Sequence, residues 1–193
     1  MTKWLSHRMV ERGIIKEEEQ ELYQFGIRNG MILLLNVVTA LVIGLLTEQL
    51  AVLAVFTLSF MVLRSYTGGY HSDSRVFCYL GSNLVLLVPV YTQAVFYKTS
   101  LAWLLAVLLV SAGIIFLLSP MHSKNRKLDK EEQKHFGRKA RLIAALELAV
   151  LGILWHAGQI PYAYAVYTGI CITALFMLVG KAQLWIQSHT ENG

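Results

Sequence analysis

From residue 30 onward the chain is a series of continuous apolar runs separated by short polar stretches. The runs cover residues 30–46, 50–63, 76–97, 101–119, 142–156 and 162–179. Each is unbroken rather than alternating, so each predicts a buried or lipid-facing helix and not a half-buried strand. A membrane-spanning helix needs about 20 residues. The second and fifth runs fall short of that, and tilting, extension by flanking residues or a re-entrant course would accommodate them. The expectation is an all-α, polytopic helical membrane protein with about six transmembrane helices, or four plus two re-entrant segments. Ahead of the runs, Trp4, Leu5, Met9, Val10, Ile14 and Ile15 alternate with Arg8, Arg12, Lys16 and Glu17, and Leu22, Tyr23 and Phe25 continue the apolar side. This predicts one or two amphipathic helices, broken near Gly13, lying in the membrane interface or packed on the protein's own polar face. The whole chain, 1–193, is expected to be a single membrane domain: an interfacial segment at 1–28, a helical bundle at 29–180 and a polar tail at 181–193.

Composition sharpens this picture. Charged residues are 15% and hydrophobic ones 55% of the 193 positions, against about 25% charged in a typical soluble domain. A transmembrane β-barrel would need alternating polarity. The formal net charge of +5 suggests no nucleic-acid partner, because the basic residues lie beside the apolar runs and no zinc-finger or helix-turn-helix spacing occurs. With the N-terminus in the cytoplasm and six spans, 16 of the 17 basic residues fall on the cytoplasmic side, Lys98 alone outside. That assignment places both termini and the polar stretch at 64–78 in the cytoplasm of a cell with the protein in its plasma membrane. The first 28 residues carry both signs of charge and no small-residue cleavage site, so no cleavable signal is expected. Cys78 and Cys171, the two cysteines, are expected to be reduced.

The candidate chemistry is gathered in one window, R-S-Y-T-G-G-Y-H-S-D-S-R-V-F-C, residues 64–78. Cys78 is a candidate nucleophile and His71 a candidate base, because the reactive form of cysteine is the thiolate and a free thiol titrates near pH 8.5. On one straight helix the two would be separated by about 10.5 Å of rise, too far for proton transfer. A dyad therefore needs a break between them. Ser72, Asp73 and Ser74 are helix-capping types, and a helix starting there puts Cys78 in its first turn and leaves His71 on the preceding loop. Gly68 and Gly69 permit the positive φ of a reversal. Asp73 is either that cap or an orienting partner for His71. Arg64 either snorkels to the interface or clamps a substrate carboxylate, and Arg75 is placed to favour a thiolate. Glu147, in the fifth run, is a functional candidate as a carboxylate inside a membrane, with a structural partner as the alternative. Cys171 is expected to be packing. His122 and His135 lack partners at metal-ligand spacing, so no metal and no organic cofactor are implied.

This window, with Arg64, Gly68, Gly69, His71 and Cys78 in order and an apolar run on either side, resembles the signature of the accessory gene regulator B family of membrane endopeptidases. Length, the amphipathic N-terminus and the number of runs fit as well. The resemblance implies a cysteine peptidase whose catalytic pair falls on Cys78 and His71. It further implies a short amphipathic quorum-sensing propeptide as substrate, an acyl-enzyme thioester, and transfer of the acyl group to a substrate Cys or Ser to close a thiolactone or lactone. A small non-enzymatic transporter or peptide exporter, and a scaffold whose window binds a partner, are the rival expectations. A homodimer is compatible with the sequence but not specified by it.

Overall fold

A computed structural model of the protein describes residues 2–68, 75–121 and 130–190, without the side chains of a few of these near the ends of the described stretches and at 5, 28–29, 32–33 and 132. Among the described residues the chain is helical throughout. Helix α1 (Thr2–Glu11) is followed by a short 3-10 turn (Glu17–Glu19), α2 (Gln20–Leu46), α3 (Leu50–Thr67), α4 (Arg75–Lys98), α5 (Leu101–Leu118), α6 (Lys130–His156) and α7 (Ile160–Thr190). Two compact units emerge, Met1–Ile43 and Gly44–Gly193.

In the first unit α1 stops where expected: Gly13 has φ +65°, a conformation that costs other residues a steric penalty. The Glu19 carboxylate accepts from the Lys16 N–H at 3.2 Å, closing the turn that starts the next helix. The second amphipathic stretch is not a separate element. Leu22, Tyr23 and Phe25 lie on α2, which runs without interruption through residues 28 and 29 into the first apolar run.

The second unit is built around α7. Ala163, Ala165, Val166, Ile170, Ala174 and Met177 are buried along it, and the small residues let neighbouring backbones come close, as is usual where apolar helices pack without a hydrophobic driving force. The tightest approach is at Gly169, where an added Cβ would collide with the Ser59 side chain of α3. Helix α4 is tied to α7 near its middle. The fully buried Tyr164 donates its hydroxyl to the Pro89 carbonyl at 2.8 Å and shares a 2.6 Å hydrogen bond with Thr92. The Phe96 ring packs on Tyr164, Tyr167 and Trp155 beside it. Helix α5 is the most lipid-like, with Leu109, Val110 and Leu117 well exposed.

Among the described residues, four helical stretches are long and apolar enough to cross a membrane: Leu50–Thr67, Tyr79–Lys98, Leu101–Leu118 and Ile160–Ile186, with Leu34–Leu46 a shorter apolar one. The second expected run is therefore longer than its apolar core, because α3 continues through Arg64 to Thr67. The fifth run is the apolar half of α6, and the basic stretch before it is the same helix. All 27 residues of α6 make one rod about 40 Å long.

Candidate functional site

The polar window sits where α3 ends and α4 begins, and the structure shows how α3 is stopped. Its C-cap is Gly68, at φ +71° and ψ −152°, a region open almost only to glycine. Two side chains of the last turn hold the Gly68 carbonyl. Arg64 donates to it from Nη1 at 3.1 Å, and the buried Thr67 hydroxyl donates at 3.4 Å. The Arg64 guanidinium carbon also lies 4.9 Å from the ring centroid of Phe176 on α7, a cation–π arrangement. Arg64 thus belongs to the architecture of the helix end as well as to the candidate site.

A second strand of contacts fixes the same junction from the side. The Thr67 carbonyl, one of the orphan acceptors of a helix C-terminus, receives the Met121 N–H at 2.9 Å. Gly137 on α6 faces Pro120, and a Cβ there would lie 3.0 Å from Pro120 Cδ. Tyr66 meets Phe136 of α6 with ring centroids 6.3 Å apart, and Lys139 Nζ stands 5.8 Å from the Tyr66 ring. The end of α3, residues 119–121, the first third of α6 and the Phe176 turn of α7 therefore form a frame from which the window departs.

The described residues resume at Arg75 on α4, and Cys78 lies on that helix. The break expected between His71 and Cys78, with its capping positions 72–74, falls outside the described residues. His71, Gly69 and Asp73 lie outside the described residues, as do the side chains of Arg75 and Cys78.

Glu147 is held elsewhere. Its carboxylate accepts the Ser59 hydroxyl at 2.7 Å, beside the Gly169 crossing. Ser59 precedes Tyr66 by seven positions on one helix, about 10 Å along the axis, so this carboxylate sits deeper than the frame around Gly68. Cys171 is half-buried on α7. Of the expected residues, Arg64 and Gly68 come together with one another. Thr67, Met121, Phe136 and Phe176 join them, and no sequence motif marks those four.

A bundle of long apolar helices, with a polar thiol-bearing junction at one end, defines a helical membrane protein. The chain belongs to the accessory gene regulator B family: the family model described as AgrB, Accessory gene regulator B, matches residues 1–178. It is 23% identical over 148 residues to a putative AgrB-like protein of Clostridium perfringens (strain SM101 / Type A), covering 74% of this chain and 69% of that protein. A putative AgrB-like protein 2 of Clostridium perfringens (strain 13 / Type A) is 24% identical over 131 residues, 65% of this chain and 61% of that protein. The accessory gene regulator protein B of Staphylococcus intermedius is 26% identical over 156 residues, 79% and 80% of the two chains. No solved structure matches the chain.

Proposed function

We propose that the protein is a cysteine endopeptidase of the cell membrane that processes a short amphipathic quorum-sensing propeptide. The observation that carries this reading is that Cys78 lies on helix α4, shortly after α3 is stopped at Gly68. The window holding His71 precedes that helix in a chain whose family membership spans the whole region. His71 takes the proton of the Cys78 thiol, and the thiolate adds to the scissile carbonyl. The C–N bond breaks, the leaving amine takes the proton from the imidazolium, and the C-terminal fragment departs. The N-terminal part stays as a thioester on Cys78. A thiol or hydroxyl of the same peptide then displaces Cys78, closing a thiolactone or lactone and returning the enzyme thiol. Exclusion of water protects the thioester between the two steps, and a site at the membrane surface serves that need.

Arg64 and Gly68 act as positioning residues in this scheme, fixing the direction in which the chain leaves α3. Gly69, Asp73 and Arg75 support the His71–Cys78 pair in this scheme. The positive-inside distribution of basic residues puts this end of the bundle and both termini in the cytoplasm.

Co-expression with a short propeptide of the family, followed by mass analysis, tests the reading. Wild type removes the C-terminal part and releases a product lighter by one water than the corresponding linear fragment. Cys78→Ser and His71→Ala leave the propeptide intact. Cleavage that survives either substitution would sink the proposal.

A further inference from the structure

Helix α6 changes character at one point along a single exposed face. In its first turns that face carries Lys134, His135, Arg138, Lys139 and Arg141, with Glu131 the acidic member among the described exposed side chains. From the next residue on, the same face carries Leu142, Leu146, Val150 and Ile153, which are 60%, 56%, 46% and 67% exposed. The opposite side stays against the bundle throughout, through Gly137, Ala140 and Ala144. The switch is therefore along the helix axis and not around it.

The level of the switch is fixed by a second contact. Arg141 donates from Nε to the Phe116 carbonyl at 3.1 Å, in the last turn of α5. There α5 stops at Leu118, one residue past the 83%-exposed Leu117. Two helices thus leave the apolar zone at the same height, and on α6 a band of cations stands directly outside it.

We propose that this face of α6 docks anionic phospholipid, with the headgroup phosphate on Lys134 and Arg138 and an acyl chain along Leu142, Leu146 and Ile153. Charge complementarity and the continuity of the face select this occupant. A bilayer must already cover the exposed apolar stripe, and its headgroups then meet the basic stripe without any further surface being built. An acidic peptide would cover the basic half alone. The long stems of Lys134 and Arg138 let the charges reach phosphate while their methylenes remain on apolar surface. Each basic side chain near an anionic leaflet adds about a fivefold preference.

The test is native mass spectrometry of the full-length protein, titrated in detergent with phosphatidylglycerol or phosphatidylcholine. Wild type retains phosphatidylglycerol over phosphatidylcholine. Lys134→Gln with Arg138→Gln, which leaves the Arg141 bond in place, lowers that preference about 25-fold for two independent charges. Lys134→Arg keeps it, which separates lost charge from a misfolded helix. An unchanged preference in the double variant overturns the proposal. So does an equal loss for both lipids, or a poly-glutamate peptide whose binding needs Lys134 and Arg138 while the lipid preference does not.

Discussion

Gly68→Ala tests the junction at its narrowest point. The backbone there, at φ +71° and ψ −152°, belongs to a region that costs a residue with a side chain about 1–3 kcal/mol. The added Cβ would also stand 2.7 Å from the Met121 carbonyl oxygen, closer than such atoms come. That oxygen is backbone, and it can retreat only by disturbing the Met121 N–H bond to the Thr67 carbonyl, worth about 0.5–1.5 kcal/mol. The expected cost is roughly 2–4 kcal/mol from these two sources. The control is Gly152→Ala on α6, where a Cβ meets nothing within 4 Å and helix propensity favours alanine by about 1 kcal/mol. Apparent Tm in detergent, with propeptide cleavage measured on the same preparations, separates the outcomes. Gly68→Ala should lower Tm by at least about 4 °C and depress cleavage further, because the direction in which the window leaves α3 changes. A Gly68→Ala variant that matches Gly152→Ala in both assays would refute the reasoning.

Arg64→Lys keeps the charge but loses the planar group that both bonds the Gly68 carbonyl and faces Phe176. Cleavage should fall about fivefold or more for a loss near 1 kcal/mol, and Phe176→Leu should fall in the same direction. Glu147→Gln retains an acceptor for Ser59 and should stay near wild type in Tm. Glu147→Ala strands the Ser59 hydroxyl and should cost about 1–3 kcal/mol. A Gln variant of normal Tm without cleavage would instead move Glu147 into the chemistry. Tyr164→Phe removes the hydrogen bonds to Pro89 and Thr92, and should lower Tm by the equivalent of about 0.6–1.7 kcal/mol while leaving cleavage by the folded fraction intact.

Much of the fold is legible in the chain because hydropathy and helix-breaking residues act locally. Continuous apolar runs announce the helices, and Gly13 ends α1 through its positive φ. What escapes is carried by tertiary contacts or by helices that ignore polarity. The basic residues of α6 are helix-compatible but read as separate from the apolar run after them, yet a helix needs no change in its backbone bonds to pass from water into lipid, so the two halves are one rod. Likewise α2 continues through Arg28 and Asn29. The Arg64 site contains a phenylalanine more than a hundred positions away, and no spacing rule links them. Glu147 is recognisable as an unusual intramembrane carboxylate, but its partner Ser59, 88 positions away, emerges only from the crossing at Gly169.

The covalent intermediate is the most direct point of attack on the account. Purified protein in lipid nanodiscs is mixed with propeptide, quenched in acid and mapped by peptide mass spectrometry. The N-terminal fragment should appear as a hydroxylamine-sensitive adduct on the peptide containing Cys78, and should be absent from Cys78→Ala. Cleavage with no adduct, or an adduct on Cys171, would contradict it.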